Sequence, residues 1–178
     1  WSSDVCSSDL NHCNARSACG SGVAVIRAMP NTPALVGEGA SAIAGGAHAN
    51  EVDIAWAEAV LGSVGLVVRV PETQLDVVTG LAGSGPAYLF LVAEALMDAG
   101  VASGLPRTTA ETLVRQLFVG SAKLLAQGEA PADLRASVTS PGGTTAAGVS
   151  VLETEAVRAA FIQAVKAATD RSRELGNR

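Results

Sequence analysis

The amino-acid sequence predicts an α/β remnant followed by an all-α region. Strand-like runs are confined to the first part of the chain, and helical patterns that begin at prolines fill the rest. Hydrophobic residues make up 48% of the chain, yet aromatic residues make up only 3%. The apolar content is therefore mostly alanine, valine and leucine. That composition suits closely packed helices and does not suit a β-sandwich, in which β-branched and aromatic residues alternate with polar ones.

Residues 23–71 contain the strand-like pieces. We predict strands at Val23–Ala28, Ala40–Ala44 and Leu66–Val70, and a helix from the N-cap Asn50 to about Gly62. The order strand, loop, helix and strand is typical of an α/β sheet. So short a segment cannot supply the several units of a doubly wound domain, so we expect the last β-α-β piece of a truncated sheet.

Residues 72–178 predict helices only. Their ends are marked by proline and glycine, which gives segments at Thr73–Thr79, Pro86 to Gly100–Gly104, Pro106 to Gly128 and Pro131 to about Val138. A loop follows, and then one final helix with Val157, Ala160, Phe161, Ala164, Val165 and Ala168 on one face. The helix from Pro106 has a similar face, formed by Leu113, Val114, Leu117, Phe118, Ser121, Leu124 and Leu125. Faces so broad favour contact with a second copy of the chain, so we expect a homodimer.

The segment 1–22 differs from the rest. It has neither a strand nor a helix period, and it lacks the positive start and apolar centre of a signal peptide. Its first ten residues, WSSDVCSSDL, resemble a translated sequencing adapter, and a flexible natural tail is the alternative. We expect a non-native or disordered segment here and exclude it from the site.

Charge and composition exclude several partners. A net charge of −5 without a lysine or arginine run argues against nucleic acid and membrane surfaces. The longest apolar stretch, Ala87–Ala93, stops at Glu94, well short of the roughly 18 residues that span a bilayer. The acidic residues Asp76, Glu94 and Asp98 suit solvated helix faces. Three cysteines in no zinc pattern and two histidines predict no metal site. We expect a cytoplasmic protein.

The segment Thr139–Gly148, TSPGGTTAAG, is a candidate anion site. Pro141 and two glycines hold a turn directly before a helix, where free backbone N–H groups and the positive end of the helix dipole favour a carboxylate or phosphate. A plain connecting turn with a threonine N-cap fits the same residues equally well.

Two other segments could approach a ligand. Gly80–Tyr88, GLAGSGPAY, places glycines at a helix start; they permit close approach of a ligand or of another helix, and packing is the favoured interpretation. Met29–Pro33, MPNTP, follows a strand at the sheet edge where α/β proteins bind ligands, although a rigid turn without a ligand is the alternative.

Taken in order, three stretches resemble the pyrroline-5-carboxylate reductase family. They are VIRAMPNTPALVGEG (25–39), VTGLAGSGPAYLFLVAEALMDAGVASGLPR (78–107) and LRASVTSPGGTTAAGVSVLE (134–153), and the likeness runs from about Val23 to Asn177. The resemblance implies the end of a Rossmann-like NAD(P)-binding domain at 23–71 and a helical dimerisation and substrate-binding domain at 72–178. It also implies reduction of 1-pyrroline-5-carboxylate to L-proline with NADPH or NADH.

The resemblance assigns the site residue by residue. The SPGG turn and the Ser140 hydroxyl would hold the substrate carboxylate, and the Thr145 hydroxyl would reach the ring nitrogen as the catalytic group. Substrate binding falls to Ser140, Pro141, Gly142, Gly143, Thr144 and Thr145, with Gly83, Ser84 and Gly85 beside the ring. The nicotinamide side of the cofactor would be bound by Met29, Pro30, Asn31 and Thr32. In this family helical domains interlock into dimers, or rings of dimers, and the substrate loop completes a site with the neighbouring subunit.

One departure from the family pattern limits these expectations. Family members begin with a strand and a glycine-rich phosphate loop, which this sequence lacks. We therefore expect the chain by itself to bind NADPH poorly and to show no measurable reductase activity. A non-catalytic helical dimerisation module is the alternative. A β-hydroxyacid dehydrogenase-like enzyme is less favoured, because Lys123 and Lys166 lie in no matching motif.

Overall fold

A computed structural model describes residues 22–176, so the expectations for residues 1–21 lie outside the described part of the chain. Residues 22–86 and 162–176 belong to one compact unit, and residues 87–161 form a second. The sequence predicted a domain boundary between residues 71 and 72. Compact units are defined by a different criterion, so that boundary stays a prediction.

A three-stranded sheet forms the centre of the first unit within the described residues. Its strands are β1 (Ile26–Met29), β2 (Gly39–Gly45) and β3 (Gly65–Arg69), in the order β1-β2-β3. β1 runs antiparallel to β2, and β2 runs parallel to β3. A parallel pair needs a crossover, and helix α1 (Glu51–Gly62) provides it. The α/β piece that the sequence predicts is therefore confirmed.

Helix α1 begins where its capping residue predicts. The Asn50 side-chain oxygen accepts hydrogen bonds from the backbone N–H groups of Val52 (2.8 Å) and Asp53 (3.1 Å). The Asp53 carboxylate accepts in return from the Asn50 N–H at 2.9 Å. This reciprocal capping box satisfies backbone donors that have no partner inside the helix.

The core of this unit lies between β2 and the first helical turn after the sheet. Met29, Ala42, Ala44 and Leu75 form a buried cluster, and Val70 and Val78 pack against it. Leu75 is fully buried. The end of β1, where Met29 lies, is thus fixed by packing on the segment that follows the sheet.

The helical segment Glu72–Ala102 is continuous, where the sequence predicted two separate helices. It comprises a 3₁₀ turn (Glu72–Gln74), α2 (Leu75–Val78), a π-turn (Thr79–Gly83) and α3 (Gly85–Ala102). These 31 residues are long and apolar enough to cross a membrane, by length and composition only. The expectation that no stretch approaches this length was therefore wrong, because π-helical geometry carries the helix through the glycines. One such helix is weak support for a membrane span, since a helix that packs on another subunit has the same composition.

Four further helices complete the described chain: α4 (Arg107–Leu125), α5 (Pro131–Ser137), α6 (Thr144–Thr154) and α7 (Val157–Gly176). The sequence predicted α6 and α7 as one helix after the loop. They are separated at Ala156, whose φ of 55° lies in the left-handed region.

The apolar face of α4 is only partly covered within this chain. Ala110 and Val114 are buried, whereas Leu113, Leu117, Leu124 and Leu125 are each at least half exposed. Two other helices of the same unit, α3 and α6, also present large apolar side chains to solvent, namely Leu89, Phe90, Leu91, Val151 and Leu152. So many exposed large apolar side chains are typical of an interaction surface.

Candidate functional site

The segment Met29–Thr32 is held in place by its own side chains. Met29 is buried at the end of β1. The Asn31 side chain accepts a hydrogen bond from the Ala40 N–H at 2.8 Å and donates one to the Ala82 carbonyl at 3.1 Å. Thr32 begins a 3₁₀ helix (Thr32–Val36) and is exposed, and Pro30 is half-buried. The sequence predicted a rigid turn or a ligand edge here. The two Asn31 hydrogen bonds tie the turn to other parts of the chain, and the choice between the two interpretations stays a prediction.

The glycines of GLAGSGPAY have different surroundings. A Cβ added at Gly80 would meet the Thr169 hydroxyl, the Val165 carbonyl oxygen at 2.7 Å and the Thr169 backbone nitrogen at 3.0 Å. A Cβ at Gly83 would lie 2.5 Å from the Met29 methyl carbon. Both glycines therefore permit close packing, as the favoured interpretation of this segment supposes.

The end of this segment is more open. Nothing lies within 4 Å of a Cβ added at Gly85, the first residue of α3. The backbone N–H of Ser84 donates to the Thr79 carbonyl at 2.8 Å and closes the π-turn. Of the three residues assigned to the substrate ring, Gly83 lies against Met29, so the structure brings this segment together with the segment assigned to the cofactor.

The SPGG turn belongs to the second unit. The Gly143 N–H donates to the Ser140 carbonyl at 3.0 Å, and Gly142 has a φ of 69°, which favours glycine. A Cβ added at Gly143 would clash with the Ser140 hydroxyl. The hydroxyl therefore lies directly over the residue that precedes α6.

The N-cap of α6 is Gly143, which has no side chain to accept hydrogen bonds. Thr144 and Thr145 occupy the first turn, so the threonine N-cap of the alternative interpretation is wrong. No side-chain cap is formed and no acidic residue lies in the first turn. The N–H groups there keep their capacity to bind an anion, which the helix dipole favours. Ser140 is exposed and Thr145 is half-buried.

The displaced pKa values among the described residues belong to exposed ion pairs outside the three segments. Hydrogen bonding from Arg158 lowers the pKa of Glu153 at the far end of α6, and hydrogen bonding from Arg69 lowers that of Glu58. Residues 22–176 contain no group of three or more His, Cys, Asp or Glu placed to hold a metal ion. What the segments offer is backbone N–H groups, hydroxyls and close-fitting glycines.

Sequence reasoning missed a partly buried polar network next to the Met29 segment. Arg27 contacts Glu72 at 2.7 Å and Asp76 at 3.8 Å, and the Ser172 hydroxyl donates to Asp76 at 2.7 Å. Asp76 is thus no solvated helix face. Thr169 and Ser172 are buried, and a usable signal existed, because both continue the apolar stripe of the last helix at helical spacing.

A sequence profile described as "Pyrroline-5-carboxylate reductase dimerisation" matches residues 72–175, more than half of the chain. The chain belongs to the pyrroline-5-carboxylate reductase family. A relative of that name from Synechocystis is 53% identical over 156 residues, which cover 87% of this chain and 58% of the relative. The relative from Arabidopsis thaliana is 52% identical over 151 residues.

Solved structures of family members have the same fold. The pyrroline-5-carboxylate reductase from Coxiella burnetii matches with a TM-score of 0.90 and 38% identity, over 94% of this chain and 63% of that one. The pyrroline carboxylate reductase from Plasmodium falciparum, whose structure has NADP bound, matches with a TM-score of 0.87 and 34% identity, over 94% and 68%. The chain spans 55–58% of the length of the two curated relatives given above.

Proposed function

We propose that this chain carries the substrate-binding part of an NAD(P)H-dependent pyrroline-5-carboxylate reductase. The reaction is reduction of the C=N bond of 1-pyrroline-5-carboxylate to L-proline, the last step of proline biosynthesis. Family membership supports the proposal, and the observation that carries it is the glycine-capped start of α6 beneath the Ser140 hydroxyl. A helix start with no side-chain cap and no acidic neighbour suits a small carboxylate.

The SPGG turn would bind the carboxylate of the substrate. Ser140 would donate its hydroxyl hydrogen, and Pro141, Gly142 and Gly143 would shape the turn that aims backbone N–H groups at the same anion. Thr144 and Thr145 lie in the first helical turn, and the Thr145 hydroxyl would hold the ring nitrogen as it gains its proton. Because an imine is protonated readily, no strong acid is required, and positioning supplies much of the rate.

Met29, Pro30, Asn31 and Thr32 would border the nicotinamide, with Gly83, Ser84 and Gly85 close to the substrate ring. NADPH or NADH would supply the hydride in this arrangement. The fit of these residues to the cofactor is supported by the two Asn31 hydrogen bonds that hold the turn and by its place at the end of a sheet strand. The contact between Gly83 and Met29 supports a single pocket wall that would border both the substrate ring and the nicotinamide.

We further propose that the chain is a cytoplasmic homodimer. The exposed leucines of α4 and the apolar helix Glu72–Ala102 offer a surface of the kind that obligate dimers bury. The matching family profile is named for dimerisation, which agrees with this use of the surface. Sedimentation equilibrium should give twice the chain mass, and a monomer at micromolar concentration contradicts the dimer.

Titration with L-proline tests substrate binding on the chain itself. Backbone amide resonances of Ser140–Thr145 should shift with L-proline and should not shift with pyrrolidine, which lacks the carboxylate. Ser140→Ala should weaken the response, whereas Ser150→Ala, an exposed serine later in α6, should leave it unchanged. A dimer whose turn ignores L-proline would favour the alternative of a non-catalytic dimerisation module.

A further inference from the structure

We propose that Asn31 is a positioning residue whose side-chain amide clamps the Met29–Thr32 segment to the π-turn Thr79–Gly83. The inference rests on the proposed function, in which this segment borders the nicotinamide. Asn31 would border the nicotinamide with its backbone, because its side-chain amide is engaged in hydrogen bonds within the chain. The side chain thereby fixes the place of Met29, Pro30 and Thr32.

The two hydrogen bonds of Asn31 join distant parts of the chain. Its carbonyl oxygen accepts from the Ala40 N–H at 2.8 Å, and its NH₂ group donates to the Ala82 carbonyl at 3.1 Å. The partners lie nine residues and 51 residues away in sequence. The side-chain amide provides both the donor and the acceptor on one short planar group. Aspartate would place an oxygen against the Ala82 carbonyl, and alanine would remove both bonds.

Packing at the same place supports the clamp independently. The Met29 methyl carbon lies where a side chain at Gly83 would begin, so the two segments touch one residue beyond the Asn31 partner Ala82. From the other side, Gly80 lies against the backbone of α7 at Val165 and Thr169. The π-turn is therefore held between the end of β1 and α7. Single π-helical turns inside helices often occur at functional sites.

This arrangement matters for hydride transfer because the reaction depends on position. A displacement of about 1 Å costs on the order of 100-fold in rate. Asn31 holds the start of β2 and the π-turn through Ala40 and Ala82. Gly83 of that π-turn lies against Met29 at the end of β1. Loss of the clamp should therefore move the segment as a whole, which a lost cofactor contact would not do.

The test uses ¹³C-methyl-methionine labelling of the whole chain. The chain contains two methionines, Met29 at the clamp and Met97 in α3. The Met97 methyl serves as an internal reference. We expect Asn31→Ala to shift the Met29 methyl resonance and to speed hydrogen exchange of the Ala40 amide about tenfold. We expect Asn31→Asp to shift the Met29 methyl but to keep the Ala40 amide protected, because the acceptor remains.

The matched control is Asn50→Ala, which removes an asparagine with two backbone hydrogen bonds elsewhere in the same unit. It should lower stability without moving the Met29 methyl. An unchanged Met29 methyl and Ala40 exchange in Asn31→Ala would overturn the clamp, and so would equal changes in Asn50→Ala.

A second titration separates this inference from the proposed function. NADPH is added to a chimaera in which residues 23–178 follow the N-terminal portion of the Synechocystis relative, because the chain by itself is expected to bind NADPH poorly, and the Met29 methyl is followed. A methyl that shifts in Asn31→Ala and also responds to NADPH supports both ideas. A methyl that shifts in Asn31→Ala but ignores NADPH upholds the clamp and counts against the assignment of this segment to the cofactor.

Discussion

Gly80→Ala should destabilise the first unit, although alanine is the better helix former. The new Cβ would lie 2.7 Å from the Val165 carbonyl oxygen and 3.0 Å from the Thr169 nitrogen. Both are backbone atoms of α7, so the helix itself must move. Overpacking of this kind costs about 1–3 kcal/mol, whereas replacing a helical glycine by alanine gains about 0.5–1 kcal/mol. The middle values of the two ranges leave a net loss of about 1 kcal/mol, or a fall in Tm of roughly 2–4 °C.

Urea denaturation followed by circular dichroism measures this change, and Gly62→Ala is the matched control. Gly62 is the last residue of α1, and nothing lies within 4 Å of a Cβ added there. The control should be neutral or stabilising by up to about 1 kcal/mol. A Gly80→Ala variant as stable as the wild type would mean that α7 does not lie against the π-turn as described.

Three further predictions follow from individual contacts. Asn50→Ala should lower the free energy of unfolding by about 1 kcal/mol, measured in urea, because the N-cap of α1 is lost; no change would mean that the capping box is not formed in solution. Ser172→Ala should cost about 1–2 kcal/mol in the same assay, because Asp76 loses a buried hydrogen-bond donor; a neutral result would place Ser172 at the surface. Arg69 hydrogen-bonds Glu58 and lowers the pKa of that carboxyl from its ordinary 4.5. A lowered folded-state pKa contributes stability above 4.5 that is lost as the pH falls through the folded value. Arg69→Gln should return the Glu58 pKa towards 4.5 in a carboxyl ¹³C titration, and an unchanged titration curve would argue against the pair.

Local signals were sufficient for much of the fold. Asn50 predicted the start of α1 because its side chain caps its own helix, and Pro106 and Pro131 marked helix starts through their fixed φ angle. The Gly143-capped turn could be located from its glycines and proline. The family resemblance added the residue roles, which remain predictions.

What the sequence did not reveal depends on contacts between distant residues. The hydrogen bond from Asn31 to Ala82 joins residues 51 positions apart, so no local sequence pattern predicts it. The break at Ala156 has no glycine or proline to mark it, and a non-glycine residue takes the left-handed conformation there. The π-turn Thr79–Gly83 continues a helix through glycines that normally end one, since Gly80 packs on α7 and Gly83 on Met29.

The most direct test of the account is turnover by a chimaera. The N-terminal portion of the Synechocystis relative that this chain does not span would be joined to residues 23–178. The account predicts NADPH-dependent conversion of 1-pyrroline-5-carboxylate to L-proline, a fall of about 100-fold in Thr145→Ala, and no loss in Thr154→Ala at the end of the same helix. A folded chimaera that binds NADPH but forms no proline, or a Thr145→Ala variant with unchanged turnover, would contradict it.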